Sequence, residues 1–175
     1  MAIEVATLAG GCFWCLIEPF DTRKGVESIV SGYAGGDEVN PKYEDVKYQR
    51  TGHVESVQIT FDNEQISFKE ILDVYWTLIN PTDDSGQFDD RGDSYRAMIF
   101  YHNNEQKLIA EQSKASLQES GRFADEIVTP IVPYKNFYLA EEYHQDFYKK
   151  SPERYKQSHE ISGRDEFKKQ YWGEK

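Results

Sequence analysis

Apolar positions recur at two spacings along the chain, marking a mixture of strands and helices. Residues 3–9 are rich in Ile, Val, Ala and Leu and stop at Gly10-Gly11, which reads as a first strand and its turn. A short helix is expected to begin near Cys12 and to be disturbed by Pro19. Residues 26–33 alternate well enough for a second strand, and Ala34-Gly35-Gly36 opens a loop through Asn40-Pro41. Val54, Val57, Ile59 and Phe61 fall along a third strand, with one slip in the alternation that suggests a bulge.

The middle of the chain carries the strongest helical signal. Ser67 and Glu70 have capping-box spacing, and Phe68, Ile71, Leu72, Tyr75, Trp76 and Ile79 make one apolar face ending before Pro81. An Asp- and Gly-rich loop covers 82–93, an apolar strand 95–101, and a second long helix 104–120, closed by Gly121. Residues 127–132 read as a strand that Pro130 confines to a sheet edge. An aromatic segment, 136–148, and a charged tail from Ser151 follow, and neither repeats nor low-complexity tracts interrupt the chain. Strands and helices mix without strict alternation, so the expected class is α+β: a two-layer sandwich of a mixed sheet with two main helices and a ferredoxin-like core.

Composition narrows the picture. Among 175 residues 38% are hydrophobic, yet 14% are aromatic, and aromatic side chains bury enough area each to supply a core. A net charge of −11 disfavours nucleic acid and anionic membrane as partners, and favours solubility. The start lacks a basic leader, and the apolar stretch 8–17 falls short of the roughly 20 residues a membrane span needs. Two cysteines are too few for a disulfide-stapled scaffold. A cytoplasmic monomer is therefore expected, in which a close cysteine pair does chemistry or binds metal.

That pair lies in Gly10-Gly11-Cys12-Phe13-Trp14-Cys15. A strand, a glycine turn and a helix start would put backbone N–H groups and the positive end of a helix dipole beside Cys12. Such a place stabilises the thiolate, which is the attacking form of a group whose ordinary pKa is about 8.5. Structural zinc needs a second ligand pair, and the four histidines, His53, His102, His144 and His159, offer no short-spaced one. No metal or cofactor is expected: there is no phosphate cradle or dinucleotide fingerprint, and the 83–93 loop departs from the calcium-loop spacing. A dithiol of thioredoxin type would carry small residues or Pro between its cysteines, whereas Phe13 and Trp14 offer an apolar pocket or simply core.

Gly11-Cys12-Phe13-Trp14 resembles the active-site motif of the A-type peptide-methionine sulfoxide reductases. Further matches follow in order: Asn40-Pro41-x-Tyr43, Thr51-Gly52-His53-x-Glu55, Asn80-Pro81-Thr82, Asp90-Arg91-Gly92-x-x-Tyr95-Arg96 and Ala140-Glu141-Glu142-Tyr143-His144-Gln145. The resemblance spans residues 5–148 and implies reduction of methionine S-sulfoxide, free or in proteins, with electrons from thioredoxin. It implies Cys12 as the nucleophile on sulfur, Glu55 as proton donor to the sulfoxide oxygen, and Tyr43 and Tyr95 as hydroxyls bonding that oxygen. Phe13 and Trp14 would enclose the substrate methyl group, and Asp90 would hold the substrate's backbone side; His144 receives no definite role. Residues 1–150 would then be a single catalytic domain, with 151–175 an extension packed on or wrapping it.

Two departures matter. Many relatives have Gly where this chain has Cys15, and carry their resolving cysteine near the C-terminus, where this chain has none. Recycling through an internal disulfide would use Cys15. Ser94 stands where relatives often have Gln. Two other readings of the cysteine pair stay open at this point, a general thiol-disulfide oxidoreductase and a redox sensor that binds a partner according to the Cys12-Cys15 state.

Overall fold

β1 (Ile3–Gly10) lies inside the sheet, antiparallel to β3 (Val54–Asp62) on one side and to β6 (Ala97–Tyr101) on the other. β2 (Val26–Ala34) pairs antiparallel with β3 and also with the short β8 (Phe137–Leu139), while β7 (Ile131–Pro133) runs parallel to β6. The order is therefore β7-β6-β1-β3-β2-β8, a mixed sheet with helices between its strands, which places the chain in the α+β class. This computed structural model describes residues 2–11, 13–47, 51–88, 90–141, 153 and 164–172; at Trp14, Glu18, Pro19, Lys47, Asp90, Asp93, Arg164 and Asp165 it describes the backbone alone.

The main core joins one sheet face to the helices. Leu8, Val57, Ile59, Phe61 and Ile99 meet Leu16, Ile17 and Phe20 of α1 (Trp14–Asp21) and the apolar face of α3 (Phe68–Trp76). Ile71 and Leu72 are fully buried, and each such aliphatic side chain contributes about 1.5–3 kcal/mol. The Ser67–Glu70 capping box is present, with each side chain accepting from the other residue's backbone N–H. α4 (Asn104–Glu119) is capped by Asn103, whose side chain accepts the Gln106 N–H, and Gly121 beyond it takes a φ of 69°.

Several local features differ from the sequence reading. α1 runs through Pro19, which removes one N–H from the helical ladder, and ends two residues later at Asp21. The slip in β3 is not a bulge in that strand: the register shift lies in β2, between Val26 and Ser28. The pattern slips because Val54 faces the other side of the sheet, joining Ala9, Ala34 and Phe100 in a second small cluster. Glu55 consequently falls in the same row as Val57, Ile59 and Phe61. Residues 93–95 curl into a 3-10 turn, so β6 starts at Ala97, and β7 starts only after Pro130.

Three short elements have no counterpart in the sequence reading. α2 (Tyr43–Lys47) is little more than one turn, and β4 (Gly86–Gln87) and β5 (Asp90–Arg91) form a hairpin of two-residue strands within the acidic loop. In the tail, α5 (Arg164–Trp172) packs Phe167, Tyr171 and Trp172 against the main core.

Candidate active site

β1 ends in a turn whose geometry only small residues permit. A Cβ on Gly10 would stand 2.8 Å from Ile79 Cγ2, and Gly11 has a φ of 89°, in the region that favours glycine. The strand end is pinned by Tyr75, whose hydroxyl donates to the Ala9 carbonyl at 2.6 Å; burial of this phenol pushes its pKa well above the usual tyrosine range. Cys12 lies outside the described residues, between Gly11 and Phe13, and Phe13 is the N-cap of α1.

Glu55 meets this turn from β3. It is 1% exposed, and its Oε1 accepts the Phe13 N–H at 3.4 Å. Directly across the strand pair stands Tyr33, fully buried, with its ring centroid 5.9 Å from that of Phe13. The structure thus brings together the residue following Cys12, the carboxylate of Glu55 and an aromatic wall. Cys15 is buried in the first turn of α1.

Tyr43 and Tyr95 approach from separate elements. Tyr43 opens α2 and is half-buried against the main core; its backbone N–H donates to Glu141 Oε2 at 3.0 Å. The other oxygen, Glu141 Oε1, accepts from the Tyr33 hydroxyl at 2.8 Å, so one carboxylate ties the start of α2 to the residue opposite Glu55. Tyr95 is buried at the end of the 3-10 turn, which packs against β3. Trp14 opens α1 and Asp90 opens β5, with their side chains outside the description, and His144 is outside the described residues altogether.

The loop leading to α2 is fixed by a buried histidine. His53 Nδ1 accepts the Gly36 N–H at 3.0 Å, which leaves Nε2 to donate to the Glu38 carbonyl at 2.7 Å. A Cβ on Gly36 would lie 2.5 Å from His53 N and from Thr51 O, so only glycine fits. Asn136 completes the staple by accepting the Gly35 N–H and donating to the Gly36 carbonyl.

The hairpin bearing Asp90 is also pre-set. Arg91 donates from both terminal nitrogens to Asp83, at 2.6 and 3.0 Å; this guanidinium holds the Asp83 carboxyl below its usual range and is itself stabilised in the charged form. Gln87 is fully buried and bonds both the N–H and the carbonyl of Asn80. Among the described residues no group of three or more His, Cys, Asp or Glu could hold a metal ion, and no helix is long and apolar enough to cross a membrane.

Tyr33, Glu141 and His53 are the site residues the sequence reading left without roles. Glu141 and His53 lie inside the matched motifs, and that membership was their only signal. Nothing short of the strand register pairs Tyr33 with Glu55.

Known proteins resemble the whole chain. The family described as "Peptide methionine sulfoxide reductase" matches residues 4–175. "Peptide methionine sulfoxide reductase MsrA 2" of Staphylococcus aureus is 56% identical over 173 residues, covering 99% of this chain and 98% of that protein. Among solved structures, Mxr1 from Saccharomyces cerevisiae in reduced form superposes with a TM-score of 0.79 at 31% identity, covering 86% of each chain. Mxr1 in complex with Trx2 gives a TM-score of 0.58 at 26% identity, over 80% of this chain and 82% of that one. Together with the sheet, the glycine turn and the buried glutamate, this match establishes that the chain belongs to the peptide methionine sulfoxide reductase family, among its A-type enzymes.

Proposed function

We propose that the protein reduces methionine S-sulfoxide, free or in proteins, with Cys12 as nucleophile and Glu55 as general acid. The observation that carries this reading is the 3.4 Å contact between Glu55 Oε1 and the N–H of the residue after Cys12. A sulfoxide oxygen is a poor leaving group until protonated, so an acid must stand beside the attacking sulfur. A carboxyl withdrawn from water holds its proton more readily, and Glu55 is 1% exposed. Cys12 and Glu55 are proposed to act as a coupled pair sharing one proton, which lets one be a thiolate while the other is the acid.

In the proposed step the Cys12 thiolate attacks the sulfoxide sulfur while Glu55 delivers a proton to the oxygen. Tyr43 and Tyr95 hydroxyls bond that oxygen, Phe13 and Trp14 enclose the methyl group, and Asp90 engages the substrate's backbone side. Methionine leaves, and the oxygen remains on Cys12 as a sulfenic acid. The Cys15 thiol then displaces water to give a Cys12-Cys15 disulfide, which a dithiol of thioredoxin type reduces. The thioredoxin assignment draws on Mxr1, which has been solved in complex with Trx2.

The protein is further proposed to be a cytoplasmic monomer without cofactor, metal or nucleic-acid partner. Its fold is proposed to be a ferredoxin-like two-layer sandwich; the run β6-β1-β3-β2, with helices between β1 and β2 and between β3 and β6, supports this. Residues 1–150 are proposed as one catalytic domain with 151–175 packed on it, as the contacts of Phe167, Tyr171 and Trp172 with the core suggest. The functional test is to give each methionine sulfoxide epimer with dithiothreitol and measure methionine. Product from the S epimer is expected; reduction of protein disulfides without methionine formation would overturn the reading.

A further inference from the structure

We propose that Phe167, in the C-terminal helix, is a positioning residue for substrate binding: it holds the β4–β5 hairpin, through Phe88, in the geometry that presents Asp90. The inference rests on the proposed role of Asp90, since it concerns what steadies that residue. Phe88 joins the two strands of the hairpin, two residues before Asp90, and its φ is 55°. A bulky side chain without glycine's freedom is a true outlier there. Such conformations persist where the surroundings over-determine them, and they gather at binding sites.

The surroundings here come from the hairpin itself and from the C-terminal helix. Arg91 grips Asp83 and also donates to the Phe88 carbonyl at 3.3 Å, closing the hairpin on itself. The Phe88 ring then meets Phe167 edge to face, with centroids 5.3 Å apart and planes at 77°. Phe167 is itself fixed: it stacks on Phe123 at 6.1 Å and meets Tyr171, one helical turn later, with centroids 4.6 Å apart and planes tilted by 39°. Phe123 is 5% exposed, and Tyr171 is held from behind by Arg122, which donates to its carbonyl at 2.6 Å. An unbroken line of rings therefore runs from the main core through α5 to the hairpin. Cutting that line at Phe167 frees Phe88 without removing any group proposed to touch substrate.

The test separates positioning from general loosening. Phe167→Ala, Phe167→Leu, Asp90→Asn and the Phe167→Ala/Asp90→Asn double variant are assayed with dithiothreitol on two sulfoxides. One is an N-acetyl methionine sulfoxide amide, which has a backbone side to hold; the other is dimethyl sulfoxide, which has none. Phe167→Ala is expected to raise KM for the amide about ten-fold with little change in kcat, because small misplacements of a binding group are costly. It should leave kcat/KM for dimethyl sulfoxide unchanged, Phe167→Leu should recover most of the loss, and the double variant should be no worse than Asp90→Asn alone. Equal losses on both substrates, or an unchanged KM where Asp90→Asn raises it, would overturn the positioning role. An Asp90→Asn variant with normal KM would instead overturn the reading of Asp90 itself.

Discussion

β3 carries a buried carboxylate near each end, and the two are supplied very differently. Asp62, 3% exposed, closes its own turn: it accepts from the Gln65 side chain at 2.8 Å, the Glu64 N–H at 3.0 Å and the Ala2 N–H at 3.3 Å. The Gln65 and Glu64 bonds hold its carboxyl below the usual range, so it is a settled charge. Glu55, at the other end, shares its row with Val57, Ile59 and Phe61, stands opposite Tyr33, and accepts from Phe13, the residue after Cys12. Burial alone does not separate an anchor from a reagent. The origin of the donors supports the proposed difference, since those of Asp62 come from the terminus and turn it ties down, while Phe13 follows Cys12, the proposed nucleophile.

The largest way to sharpen this contrast is Cys12→Ser, expected to abolish methionine formation while leaving the unfolding temperature nearly unchanged. Retention of a substantial rate would remove Cys12, and with it the special standing of the Glu55 end. Glu55→Gln comes next, and should slow the single-turnover step about 10²–10⁴-fold, the usual worth of a positioned acid. Asp62→Asn should leave that rate alone and lower the unfolding temperature by a few degrees; a comparable loss of rate would break the comparison.

Cys15→Ser should still release methionine in one turnover without reductant, yet cycle poorly with thioredoxin. Thiol titration after that turnover checks it, since the parent protein should lose both thiols and the variant should accumulate a sulfenic acid. The smallest effect concerns acid stability. Because the folded pKa of Asp62 is depressed, the folded state binds fewer protons than the unfolded chain just below the ordinary carboxylate value. Its contribution is present above that value, about 3.9, and is lost as pH falls through the folded pKa. Asp62→Asn should therefore flatten the acid limb of a denaturation curve below about pH 4, and an unchanged limb would deny Asp62 its role.

How far the sequence reveals this architecture depends on element length and on the separation of partners. α3 is legible because its capping box and five buried apolar residues repeat one period several times over. The two-residue strands β4 and β5 and the five-residue α2 show no period, being shorter than the pattern that would reveal them. The slip at Val54–Glu55 was visible but ambiguous: an inserted residue and a strand buried on both faces break alternation alike. The Tyr33–Glu141 bond joins residues 108 apart, a pairing local reasoning cannot supply. Family motifs single out Glu55, Tyr43 and Tyr95 as candidates, whereas Tyr33 emerges only from the strand register.

The interior position of β1 also sets a timetable. It is synthesised before both of its neighbours, β3 and β6, which are encoded far downstream. At ordinary translation speeds of roughly 5–20 residues per second, β1 leaves the ribosome several seconds or more before β6 can pair with it. Until β3 emerges Leu8 and Ala9 have no strand to pair with, and until β6 emerges the other edge of β1 stays open. An apolar strand thus waits for its partners, and exposure of its unpaired edges to other chains in that interval is a cost of carrying the Gly10-Gly11 turn on a central strand.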